Sequence, residues 1–135
     1  VMSTDFFPTF VKAAGGEPKG TGPIDGMDLM PLLKGKESLE REALYWHYPH
    51  YSNQGGFPGG AVRVGDWKLI ERFEYGKAHL YDLAKDIGER NDVADKHPDR
   101  VNAMRQKLHE WYKEVDAKFL QAKKSDGPQP WRPAR

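Results

Sequence analysis

The densest group of side chains able to do chemistry is Tyr45-Trp46-His47-Tyr48-Pro49-His50-Tyr51, which sets two imidazoles three residues apart among aromatic rings. Paired histidines invite a metal reading. In an extended segment, however, residues three apart point to opposite faces, so His47 and His50 converge only if the chain bends at Pro49. A zinc centre also needs three or four ligands, and His79, His97 and His109 lie in other elements at no helpful spacing. No metal site is expected. Two readings of the cluster stay open. In one, the aromatics are core and rim and the histidines are polar edge groups. In the other, the cluster and the Gly-rich loop at 52–60 form a lip for a polar ligand such as a carbohydrate or other substrate.

Other candidates carry less. Asp82, Asp86, Glu89, Asp92 and Asp95 crowd a turn-rich stretch ahead of a helix start. There, carboxylates cap backbone N–H groups and complement the helix dipole rather than act as acid and base. Gly55-Gly56 and Gly59-Gly60 lack the strand-and-helix context of a phosphate-binding loop. Of the serines, Ser3, Ser38, Ser52 and Ser125, none stands in a Gly-x-Ser-x-Gly elbow. With no cysteine there is neither thiolate nor disulfide. The residues by themselves define no catalytic centre.

Composition narrows the class. The formal charge of the 135 residues is +1, with no long run of like charge, so neither a nucleic acid nor a membrane surface is expected as partner. No apolar stretch reaches the ~18 residues that a membrane-spanning helix needs. Hydrophobic residues make up 38%, and Trp 4, Tyr 6 and Phe 6 supply enough aromatic bulk for a packed core in one domain. The start, Val1-Met2-Ser3-Thr4-Asp5-Phe6, lacks the basic and apolar regions of a secretory signal and reads as the cut edge of a longer protein.

The elements that position these residues follow from pattern. Thr4 or Asp5 can cap a short helix to about Ala14, with Pro8 in its first turn and Phe6, Phe7, Phe10, Val11 and Ala14 as its apolar stripe. Gly15-Gly16 ends it. A second short helix is expected from Asp28, its cap, to Lys34, with Leu29, Leu32 and Leu33 facing inward. Strands are expected at 43–48, 61–64, 67–73 and 78–83, with Gly65-Asp66 as a tight hairpin turn. His97-Pro98 opens a long helix whose face is Val101, Met104, Leu108, Trp111, Val115 and Phe119. The fold class is thus α+β, a small antiparallel sheet of three to four strands packed on a long C-terminal helix, with short N-terminal helices. Strands 67–73 and 78–83 carry apolar residues on both faces, with Ile70 opposite Trp67, Leu69 and Phe73, and Tyr81 and Leu83 opposite Leu80. One helix covers one face, so the other face either meets something outside this chain or is covered by the short helices in a two-layer sandwich.

Five segments, in order, resemble the sulfatase family of the alkaline phosphatase-like superfamily. Asp5-Phe6-Phe7-Pro8-Thr9 with Gly15-Gly16 resembles its D-x-x-P-T helix. The stretch from Ile24 to Gly35 resembles DGxSLxPLLxG, with Asp28 where Ser is usual. Arg41 to Tyr51 resembles the R-x-L-x-W-H-Y-P-H-Y block of arylsulfatase-type members. Ala61 to Ile70 resembles A-I-R-x-G-D-x-K-L-I, and Leu80 to Asn91 resembles LYDLxxDPxExxNL, with Ile87 in place of Pro.

The resemblance implies that residues 1–124 form the C-terminal subdomain of a sulfatase. Residues 1–36 would close the catalytic-domain region, 43–124 would hold sheet and helix, and 125–135 would be a tail. The implied partner is the N-terminal catalytic domain of the same chain, and the implied substrate is a sulfate ester. The family's formylglycine nucleophile and calcium would lie upstream, because no serine begins Ser-x-Pro-x-Arg and no Asp-Asp or Asp-Asn/His pair is present. This portion would then hydrolyse nothing alone. Its residues could at most shape the leaving-group side of a pocket, with His47, His50 and Arg63 as candidates and Tyr48 and Tyr51 as walls. The competing account of all five is strand-edge packing. The resemblance also implies a periplasmic, secreted or lysosomal compartment, and an uncovered sheet face would favour self-association of the piece. The alternatives are a phosphate or phosphonate monoester hydrolase fragment and a free-standing carbohydrate-binding module.

Overall fold

In a computed structural model of the chain, the described residues are 1–20, 24–35, 38–39, 41–53 and 55–121. The expected tail at 125–135 lies outside them. The chain divides into two compact units, Val1–Arg41 and Glu42 onward.

The first unit is built around a carboxylate. A single 3-10 turn, Ser3–Asp5, leads into helix α1, Phe6–Ala13, with Pro8 in its opening turn. Asp5 is fully buried. Rather than capping α1, it accepts the N–H groups of Met2 (2.6 Å) and Met27 (2.9 Å) and pairs with the Arg41 guanidinium. One turn on, Thr9 donates its hydroxyl to the Asp5 carbonyl (2.6 Å) and accepts the Leu29 N–H (2.9 Å). Asp5 and Thr9 therefore sew the 27–29 segment onto α1. Burial pushes the Asp5 pKa up, but the hydrogen bonds from Arg41, Met27 and Met2, with the Arg41 charge, outweigh it and hold it below the usual value.

For α1 the structure adds which side is covered, and for the second helix it corrects the expectation. The inner face of α1 is Pro8 and Thr9, while Phe6, Phe7 and Phe10 are 49%, 50% and 67% exposed. The 27–29 segment has backbone groups to satisfy, so it packs on the hydroxyl and carboxylate side of the helix and leaves the phenyl rings outside. The second helix, α2, spans Met30–Leu33 and is shorter than expected. Asp28 does receive the Met30 N–H (2.9 Å), and Leu29 is buried, but Leu33 is 71% exposed.

The second unit is an antiparallel meander of β1 (Leu44–Tyr48), β2 (Gly59–Val64), β3 (Trp67–Arg72) and β4 (Ala78–Asp82), in that spatial order. Gly65 takes φ +57° in the β2–β3 turn, a left-handed geometry that a side chain disfavours. The outer edge of β4 is closed by its own chain, since Asp92 Oδ1 accepts the Leu80 N–H (3.0 Å) and Val93 N donates to the Leu80 carbonyl (2.9 Å). That covering removes one strand edge from unwanted pairing.

Helix α3, Pro98–Glu114, begins at the proline and packs Met104, Leu108 and Tyr112 on Val62, Leu69, Phe73 and Leu80. It stops before Val115 and Phe119, which were expected to extend its stripe. Asp116 turns the chain at φ +49°, leaving Val115 36% exposed. The chain returns to the sheet, and Phe119 packs 5.2 Å from Phe73 and 5.1 Å from Tyr112 between ring centroids. Beneath α3, the wholly buried Glu71 accepts from Arg105 Nε (2.6 Å) and lies 2.9 Å from His109 Nε2. This cluster pins the helix to β3.

Candidate functional site at the open face of the sheet

Strand alternation assigns every sheet residue a side. Tyr45, His47, Val62, Leu69, Glu71 and Leu80 share the α3 side. The other side carries three cross-strand rows: Leu44, Arg63, Lys68 and Tyr81; then Trp46, Ala61, Ile70 and His79; then Tyr48, Gly59 and Arg72. Helix α3 does not reach this second face. Trp46 is 38% and Tyr48 51% exposed on it.

The five candidate residues do not converge. His47 sits on the α3 side, its ring centroid 5.2 Å from that of Tyr112 and 5.1 Å from that of Phe119. Its Nε2 lies 2.6 Å from the Lys118 carbonyl. That carbonyl can only accept, so Nε2 carries the proton and donates. Tyr48 lies on the opposite face, with His50 edge-on to it at 5.4 Å. Tyr51 hangs from the β1–β2 loop and donates its hydroxyl to Glu74 in the β3–β4 turn (3.2 Å). Lost hydration, followed by the hydrogen bond to Glu74 and its charge, raises the Tyr51 pKa. Arg63 is at the far end of β2, pairing in register with Leu44 and donating Nε to the Gly65 carbonyl (2.8 Å). Four residues of strand, about 13 Å, separate it from the Tyr48 row.

What the open face does gather is Tyr48, His50, Phe57 and Arg72 at one end. A Cβ on Gly59 would stand 3.1 Å from the Phe57 ring, so glycine lets that ring lie across the strand. The Arg72 guanidinium carbon then rests 3.7 Å from the Phe57 centroid. Neither residue was singled out from the sequence. The available signal was the alternation in Lys68, Ile70 and Arg72, which places Arg72 on the uncovered side. Of the acids before α3, Glu89 pairs with Lys68, while Asp86 and Asp92 take backbone donors. Asp86 accepts the Arg90 and Asn91 N–H groups (2.8 and 2.7 Å), and Asp92 holds Leu80, Ala94 and His79.

No group of three or more His, Asp or Glu side chains among the described residues could hold a metal. The described residues therefore do not fit the calcium that the sulfatase resemblance implies. No helix among the described residues is long and apolar enough to cross a membrane.

The meander backed by one long helix, and the helix that carries the D-x-x-P-T residues, are the elements that the resemblance to sulfatases implies. Residues 1–118 match the family described as "N-sulphoglucosamine sulphohydrolase, C-terminal". The chain belongs to that family. It is 33% identical to human arylsulfatase A over 132 residues, covering 77% of this chain and 25% of the relative. Against a sulfatase of Formosa agariphila it is 29% identical over 126 residues, covering 82% and 23%. Among solved structures, BT4656 bound to its substrate D-glucosamine-2-N,6-O-disulfate superposes with a TM-score of 0.67 at 28% identity, covering 83% of this chain and 24% of that one. The chain spans about a quarter of the length of each.

Proposed function

We propose that this chain is the C-terminal part of a sulfuric ester hydrolase, completing the fold of a catalytic domain carried elsewhere in the same polypeptide. The observation that carries the reading is the family match over residues 1–118 in a chain a quarter as long as its relatives. The bare phenyl rings of α1 and the uncovered sheet face support it, since both are apolar surfaces without cover of their own. Formylglycine and calcium belong to the absent domain in this reading. The compartment is then periplasmic, secreted or lysosomal. Isolated, the same surfaces would drive concentration-dependent self-association.

Sulfated sugars are the substrates to test first, because one solved relative was captured with a sulfated glucosamine. In this reading Tyr48, His50 and Tyr51 would form the rim that touches a leaving group, a role supported by the edge-on contact of His50 with Tyr48. Arg63 would reach it only from the opposite end of the sheet, and His47 would act through packing. The test is steady-state hydrolysis by the full-length polypeptide of an aryl sulfate, an N-sulfated glucosamine and a matched phosphonate monoester. Preference for the sulfate esters supports the reading. Turnover of the phosphonate ester alone would replace it with the alternative superfamily activity.

A further inference from the structure

We infer that Arg72 is half of an ion pair whose carboxylate is carried by the remainder of the longer polypeptide, where that polypeptide closes over the open face of the sheet. This rests on the reading above that the chain is part of a longer protein, and it adds where the rest docks and with what chemistry. Arg72 is half-buried and stacked on Phe57, and its Nε is shielded without a hydrogen-bond partner among the described residues. No carboxylate of the described residues pairs with it. The other cations of the face are engaged, Lys68 with Glu89 (2.6 Å) and Arg63 with the Gly65 carbonyl (2.8 Å).

A second unmatched group lies one row away. His79 Nδ1 meets Asp92 Oδ2 at 2.8 Å, while its Nε2 is buried with no partner. In the neutral ring, with Nδ1–H donated to the carboxylate, Nε2 presents a lone pair. The face therefore asks for an acceptor anion over Arg72 and a donor over His79. Buried polar groups left unmatched are costly, and an unpaired cation costs most. Beside them, Trp46 and Tyr48 offer uncovered aromatic surface. A polypeptide surface supplies carboxylate, donor and apolar cover together over such a span. The matched relatives also contain roughly three times as much chain outside the shared region, since the shared region is 24% of one and 25% of another.

The test is an experimental structure of the full-length polypeptide, followed by melting of Arg72→Gln, Arg72→Lys and the amide variant of the carboxylate found. The expected result is a carboxylate oxygen from outside residues 1–135 within about 4 Å of the guanidinium. Arg72→Gln and the amide variant should each lower the melting temperature, their combination should lower it no further, and Arg72→Lys should recover part of the loss. Arg72 facing solvent, a second copy, a bound saccharide or a cover without an anion would overturn the inference, as would additive single effects. Sulfate-ester hydrolysis measured on the same preparation keeps the two proposals apart. An inactive protein with the ion pair would sink only the activity, and an active one with Arg72 bare would sink only the pairing.

Discussion

The hydroxyl of Tyr112 occupies the space that a Cβ on Gly60 would need, 1.8 Å from its ideal position. Helix α3 and strand β2 thus approach as closely as they do because residue 60 has no side chain. The same hydroxyl has no hydrogen-bond partner among the described residues, and burial, with Glu71 nearby, raises its pKa far above the usual tyrosine value.

Gly60→Ala is predicted to destabilise the second unit by about 2 kcal/mol through overpacking. Tyr112→Phe removes an unmatched buried oxygen, so it should be neutral or stabilising by up to ~1 kcal/mol, and it should soften the Gly60→Ala penalty. Urea unfolding of the wild type, the two single variants and the double variant checks this; a Tyr112→Phe loss of several kcal/mol would contradict it.

Acidification should loosen the first unit. The folded pKa of Asp5 lies below its unfolded value of about 3.9. Its stabilising contribution is therefore full above that value and is lost as pH falls through the folded pKa. Asp5→Asn removes this dependence and also strands the Arg41 cation, at a cost of about 3 kcal/mol. Hydrogen exchange at the Met27 and Leu29 amides, followed from pH 6 to pH 2, reports the transition. A wild-type profile identical to that of Asp5→Asn would contradict the assignment.

Arg105→Met should cost about 3 kcal/mol, because it leaves the buried Glu71 carboxylate short of its strong donor. Replacing the exposed Gln106 next to it should change stability by less than ~0.5 kcal/mol. Thermal melts of the two variants side by side decide the point.

Phe10→Ser should be nearly silent in this chain, within about 0.5 kcal/mol, since the ring is 67% exposed. In the full-length polypeptide the same change should cost on the order of 3 kcal/mol, the size of a buried Phe truncation. Equal effects in both would mean that α1 has no further partner.

Legibility from sequence followed the strength of local signals. The hairpin at Gly65-Asp66 and the start of α3 at Pro98 were readable because turn chemistry and proline act within a few residues. The end of α3 was not, since Val115 and Phe119 keep the helical spacing while the chain turns at Asp116. The Phe6, Phe7 and Phe10 stripe was legible as apolar, but hydrophobic spacing reports which side wants cover, not whether cover is present. Simple alternation kept His47 and His50 apart, and in the structure His47 meets Tyr112 while His50, beyond β1, meets Tyr48. Arg72 with Phe57 escaped notice, because their meeting depends on a missing side chain at Gly59 in the facing strand.

The most direct measurement compares sulfate-ester turnover by three proteins: the full-length polypeptide, the same polypeptide lacking these 135 residues, and these residues alone. An appendage that completes a catalytic domain predicts turnover by the first only. Hydrolysis by the isolated residues, or undiminished hydrolysis after their deletion, would contradict that assignment.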